Sequence, residues 1–219
     1  SASPKIRLNN LIYLRGDMQM SVLVGKPAPD FTAAAVLGSG EIIEHYQLSQ
    51  AINGKKAVIF FYPLDFTFVC PSELIAFDHR IEDFQKRNVE VIGVSIDSQF
   101  THSAWRNTAI NDGGIGPVNY TLVADITHQI AKDYDVESAD GVAFRGSFLI
   151  DEEGQVRHQV VNDLPLGRNV DEMLRMVDAL AFHQEHGEVC PAGWTEGDEG
   201  MKADAAGVAS YLAAHKDEL

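Results

Sequence analysis

The chain is poor in cysteine and in positive charge, and each shortage narrows what it can be. Two cysteines, Cys70 and Cys190, occur among 219 residues. That is too few for the disulfide framework of a secreted domain. Lysine and arginine number 17 against 32 aspartates and glutamates, a formal net charge of −15 at pH 7. Without a basic run, that balance argues against nucleic acid and anionic membrane as partners. No apolar stretch approaches the roughly 20 residues of a membrane-spanning helix. No basic start followed by an apolar h-region marks a secretory signal. Internal repeats and low-complexity tracts are lacking as well. The expected setting is a reducing cytoplasm, where paired cysteines tend to be catalytic or redox-sensing.

What is present reads as one domain with appendages. A hydrophobic content of 45% over 219 residues suffices for a sizeable core. Residues 1–19 show no clear period and are locally basic (Lys5, Arg7, Arg15), and Met20 reads as a natural start. They are taken as an added or read-through leader and set aside. Strands are expected over Phe31–Val36 and Glu41–Tyr46, joined by the turn Gly38-Ser39-Gly40. Ala57–Tyr62 and Val89–Asp97 read as strands buried on both faces. A helix opening at Cys70 carries Leu74, Phe77, Ile81 and Phe84 on one face. Further helices are expected over Phe100–Asn107, Thr127–Asp133 and Val170–His186. Further strands are expected over Thr121–Ala124, Ala143–Ile150 and Gln155–Val161, the last two as a hairpin. Strands alternating with helices argue an α/β layered domain over residues 20–186. Residues 187–219 read as an arm that ends in a short helix over Ala203–His215 and packs on a partner.

The stretch from Phe60 to Leu74 organises the rest. An apolar strand runs through a loop to Cys70, and Pro71 follows at once. Proline suits the first turn of a helix, where its missing N–H costs nothing. Cys70 is therefore placed at a helix N-terminus, facing unpaired N–H groups and the positive dipole end. That setting favours the thiolate, the nucleophilic form of cysteine. Thr67 offers a hydroxyl three residues earlier, and Pro63 stiffens and shields the loop. A buried cysteine is often only a small hydrophobe, but the strand–loop–Cys–Pro–helix context shifts the reading towards reactivity. Arg145 lies in an otherwise apolar strand. A buried arginine needs a partner; Glu73 is one, and the Cys70 thiolate another.

Pro63-x-x-x-Thr67-x-x-Cys70, inside Phe61-Tyr62-Pro63-Leu64-Asp65-Phe66-Thr67-Phe68-Val69-Cys70-Pro71-Ser72-Glu73, resembles the active-site signature of the typical two-cysteine peroxiredoxins. These are thiol peroxidases on a thioredoxin-like α/β fold, a central mixed sheet flanked by helices. The resemblance covers residues 20–219. It implies that Cys70 attacks a peroxide and becomes a sulfenic acid. Thr67, Arg145 and backbone N–H groups would stabilise the departing oxygen. Glu73 would hold the arginine, joined by Arg168. Val189-Cys190-Pro191-Ala192-Gly193-Trp194 resembles the resolving-cysteine motif, which in that family acts from the other subunit of a dimer. The resemblance further implies recycling by thioredoxin or a flavoprotein disulfide reductase, no bound cofactor, and a homodimer assembling to a decamer. Ring closure is expected around Phe66, Phe68 and the Asp97–Trp105 segment. Gly113-Gly114-Ile115-Gly116 and Tyr211-Leu212 resemble the elements that slow local unfolding in oxidation-sensitive members. Ile115 and Leu212 depart from their pattern.

Rival readings are weaker. His183, His186 and Cys190 are spaced like metal ligands, but no second pair completes a zinc site. Neither cysteine lies in C-x-x-C, which disfavours a thioredoxin-type oxidoreductase. A redox-switched holdase chaperone stands as the non-enzymatic alternative. The final Lys216-Asp217-Glu218-Leu219 spells an ER-retention signal and Asn119-Tyr120-Thr121 a glycosylation sequon. Both are short patterns that arise by chance, and a cytoplasmic, bacterial protein is expected. An ER-type relative is the alternative.

Overall fold

A computed structural model describes residues 21–219. The leader expected over residues 1–19, and Met20, lie outside the described residues. Seven strands form one mixed sheet: β1 (Thr32–Val36), β2 (Ile42–Gln47), β3 (Lys56–Phe61), β4 (Val89–Ser95), β5 (Thr121–Ala124), β6 (Arg145–Ile150) and β7 (Val156–Asn162). Their spatial order is β2-β1-β5-β4-β3-β6-β7. The helices are α1 (Leu48–Ala51), α2 (Cys70–Asp78), α3 (Ile81–Lys86), α4 (Gln99–Arg106), α5 (Gln129–Asp133), α6 (Val170–His186) and α7 (Ala205–His215).

β3 is buried along its whole length, as its unbroken apolar run requires of a strand covered on both faces. It pairs parallel with β4 and antiparallel with β6. Alternation sorts its side chains into two cores. Val58 and Phe60 point to the face covered by α2, α3 and α6, and Ala57, Ile59 and Phe61 to the opposite face. Phe60 stacks on Phe77 of α2 at 4.1 Å. That contact seats the Cys70 helix on the sheet, and truncating such a core phenylalanine costs about 3–5 kcal/mol.

The helix expected to carry Leu74 through Phe84 is in fact two. It breaks at His79 and Arg80, between α2 and α3. The apolar spacing continues across the break, so periodicity alone did not reveal it. The four-residue α1 was also missed, being too short for a periodic signal. By contrast α6 spans the expected residues: Asn169 caps its first N–H groups, and Gly187 ends it at φ +68°.

After α6 the arm folds partly back on its own chain. Val189 and Met201 form an antiparallel bridge. Trp194 is buried, with its ring 4.9 Å from Phe182 of α6. The arm, expected to pack on a partner, thus also packs on its own chain. α7 buries none of its residues.

Candidate active site

The loop between β3 and α2 is pinned from beneath by a buried polar network. The Tyr62 hydroxyl donates to Asp65 Oδ1 at 2.7 Å, and the Asp65 N–H donates to Asp97 Oδ2 at 2.8 Å. His102 Nδ1 lies 2.7 Å from Asp65 Oδ2, and its Nε2 lies 3.0 Å from the Val123 carbonyl. A carbonyl only accepts, so Nε2 carries a hydrogen and a further proton lies between His102 and Asp65. Burial raises the Asp65 carboxyl, and the bond to His102 works against that rise. Above this base Phe66 takes a left-handed φ of +54° and lays its ring on Trp105. Such a φ is uncommon outside glycine and needs a surrounding structure that holds it.

Cys70 opens α2 in the expected position and is 1% exposed. The helix start offers fewer free donors than the sequence suggested. The N–H groups of Ser72 and Glu73 turn onto the Val69 carbonyl at 3.1 and 3.4 Å, and Pro71 has none. The Thr67 hydroxyl donates to the Leu64 carbonyl at 2.7 Å. Its lone pairs remain to accept, so the expectation of Thr67 as a donor to the departing oxygen is corrected. Pro63 is buried beside these groups.

The cation faces the sulfur instead. Arg145 opens β6 beside β3 and reaches across to α2. Its Nη1 lies 3.4 Å from Cys70 Sγ and 2.7 Å from Glu73 Oε2, while its Nε donates to the Leu164 carbonyl at 2.7 Å. Burial pulls the guanidinium down; the bond to Cys70 and the charge of Glu73 outweigh it, so it stays above its ordinary value. Arg168 grips Glu73 with Nε at 2.9 Å and Nη2 at 2.8 Å, and its own N–H adds a bond at 3.0 Å. Its guanidinium lies 5.1 Å above the Phe60 ring. The buried cluster thus holds two guanidinium cations and one carboxylate. Buried charge is tolerated only when it is matched, and Cys70 Sγ accepts from this cluster through Arg145 Nη1. The Leu164 carbonyl was not foreseen, because a backbone acceptor leaves no mark in residue type.

Cys190 is placed apart from this cluster. Its Sγ donates to the Ala179 carbonyl of α6 at 3.4 Å, and both cysteines are free. His183, His186 and Cys190 do not converge, since each faces a backbone carbonyl. Among the described residues Asp65, Asp97 and His102 are the group close enough to share a metal ion. Their contacts are filled by the protons described above and by the Ser95 hydroxyl, 2.6 Å from Asp97 Oδ2. Gly113 and Gly116 of the glycine loop have φ of +84° and +67°, and Gly114 leaves no room for a Cβ beside the Thr108 carbonyl. Tyr211 lines a cavity with Glu199 and Met201 of its own arm. Among the described residues no helix is long and apolar enough to cross a membrane.

A buried thiol at a helix start, faced by a braced arginine, defines a thiol-dependent oxidoreductase. Residues 24–159 match the AhpC/TSA family, and residues 179–214 match the C-terminal domain of 1-Cys peroxiredoxin. Alkyl hydroperoxide reductase C of Helicobacter pylori (strain ATCC 700392 / 26695) is 60% identical over 191 residues, 87% of this chain and 96% of that protein. Peroxiredoxin-2 of Macaca fascicularis is 52% identical over 193 residues, 88% of this chain and 96% of that protein. The reduced 2-Cys peroxiredoxin of Plasmodium vivax superimposes with a TM-score of 0.86 at 49% identity, covering 88% of this chain and all 100% of that one. The chain belongs to the AhpC/TSA family of peroxiredoxins, with their thioredoxin-like fold. It is a thiol peroxidase, and these relatives lend the holdase alternative no support.

Proposed function

We propose that Cys70 is the peroxidatic residue and that Cys190 of the partner subunit resolves it. The observation that carries this is Arg145 Nη1, held by Glu73 and donating to Cys70 Sγ. The Cys70 thiolate attacks one peroxide oxygen, the O–O bond breaks, and the departing oxyanion takes up a proton. Cys70 is left as sulfenic acid, two electrons oxidised. Arg145 faces both the sulfur and the charge that grows on the leaving oxygen. Thr67 accepts from the incoming peroxide hydroxyl, and Pro63 shields the site. Cys190 then attacks the sulfenic sulfur, expelling water and forming a disulfide. Thioredoxin or a flavoprotein disulfide reductase returns both thiols by exchange. Hydrogen peroxide and organic hydroperoxides are the proposed substrates.

A homodimer, assembling further to a decamer, is part of the same reading. β7 is the last strand of the sheet; its start is paired on the outer side, where Val156 bonds Gly25 and Lys26, and Val160 and Val161 further along it are exposed. Phe66, Phe68 and Phe100 are exposed as well, Phe68 to 96%. Such apolar surface calls for cover. We place the protein in the cytoplasm, with residues 20–186 as the peroxidase domain and 187–219 as the resolving arm. The test is peroxide consumption with a small dithiol as reductant. Wild type and Cys190→Ser turn over, and Cys70→Ser does not. Turnover by Cys70→Ser overturns the assignment.

A further inference from the structure

β4 and β5 run parallel, and the chain leaves their carboxyl ends towards opposite faces of the sheet. After Ser95 it turns into α4, whose Trp105 joins the core on the face covered by α2. After Ala124 it turns into α5, whose Ile130 joins the core on the other face. Connections that part in this way leave a crevice beyond the strand ends, the usual ligand position in open α/β sheets. Here the crevice is a cavity of about 540 Å³, lined also by the start of β1 and by Glu44 of β2. Small-molecule sites span roughly 300–1,000 Å³. The lining includes none of the residues gathered around Cys70.

The charge of the cavity has one sign. Asp30, Glu44, Asp125 and Asp133 line it, and among the described residues no lysine, arginine or histidine does. Asp30 and Asp125 are taken up by nearby N–H and O–H donors. Asp133 accepts from Gln129 Nε2 through Oδ1 alone, at 2.7 Å, and Glu44 has only the long contacts of Gln99 Nε2, at 3.4 and 3.5 Å. Gln99 supplies the independent observation. It lines the cavity and is 7% exposed. The Glu44 carboxylate fixes which way its amide lies, because the flipped amide sets oxygen against oxygen. Gln99 Oε1 is then a buried acceptor with no donor, and such an atom carries a desolvation cost until a donor meets it. We propose that this cavity binds a small organic cation, an alkylammonium or alkylguanidinium. Its N–H groups donate to Gln99 Oε1, Glu44 and Asp133 meet its charge, and its alkyl chain lies on Phe31 and Ile130. A bare metal ion fills little of this volume and gains nothing from the apolar wall.

The net charge of −15 attracts any cation weakly, so the test separates the cavity from that background. It is isothermal titration calorimetry of the full-length protein with butylammonium chloride and butylguanidinium chloride, against butanol and Mg²⁺. Gln99→Leu removes the acceptor and leaves every charge in place. Glu44→Gln changes an exposed side chain and carries the test if the first variant fails to fold, which thermal melts reveal. Both cations are expected to bind saturably, butanol not, and each variant is expected to weaken the cations about tenfold, as loss of one hydrogen bond to a charged group does. No saturable binding to wild type overturns the proposal. Affinities unchanged in the folded variants do the same, since they mark adsorption to the acidic surface. Binding of Mg²⁺ that the same variants weaken, with the organic cations silent, overturns the ligand class.

Discussion

Arg145 Nη1 makes two contacts at once, 2.7 Å to Glu73 Oε2 and 3.4 Å to Cys70 Sγ. The carboxylate fixes where the guanidinium points, and the sulfur receives what remains of its charge. Replacing Arg145 with glutamine keeps hydrogen bonding and removes the cation. The expected result is a loss of about 10²–10³ in the second-order rate with peroxide, the range seen when one donor to a developing oxyanion is removed. Stopped-flow measurement of the Cys70 step reads it directly, and a loss under threefold contradicts the role.

Glu73→Gln should cost stability as well as rate. It leaves two buried guanidinium groups without their shared anion, and breaking a buried pair costs about 3–5 kcal/mol. Asp171→Asn is the control. Asp171 pairs with Arg80 at the surface, where a pair contributes about 0–1 kcal/mol. Urea unfolding of the two variants side by side gives the comparison, and equal losses contradict the buried-cluster account.

His158 sets part of the acid limit. Burial lowers the His158 imidazole below its ordinary value, so the folded state resists a proton that the unfolded chain takes. In the window from just above the unfolded value of about 6.5 down to the folded one, the unfolded state binds more protons. Stability therefore falls as pH falls through that window. His158→Gln is expected to flatten this part of a urea-midpoint against pH profile, leaving the neutral region little changed. An unaltered slope contradicts it.

Phe68 is 96% exposed in the active-site loop, where Phe66 is exposed too, as is Phe100 in α4. Phe68→Arg is expected to lower the assembled mass in sedimentation velocity while the dimer persists. A full ring in the variant removes Phe68 from the ring interface.

The active-site loop was legible because its meaning is local. A strand, a stiff loop, a cysteine and a proline fall within a few residues of one another. Arg145 was legible for a different reason, as a charge in an apolar strand that must find a partner. Glu73 followed from it as the partner, Arg168 came only with the family resemblance, and the structure brings all three together with Cys70. Other features left no local mark. The break between α2 and α3 falls where apolar spacing continues. The Leu164 and Leu64 carbonyls, which fix Arg145 and Thr67, belong to the backbone. The return of Trp194 onto Phe182 depends on the path of the arm after Gly187. The strand order, with β5 between β1 and β4, is likewise a long-range choice among packings that period and propensity leave equal.

The central claim is that Cys70 and Cys190 are partners across a subunit boundary. The most direct measurement is the mass on a non-reducing gel after one equivalent of hydrogen peroxide, for wild type, Cys70→Ser and Cys190→Ser. The account predicts a covalent dimer in wild type, lost in both variants and reversed by dithiol. A wild type that consumes peroxide yet stays monomeric on the gel contradicts it.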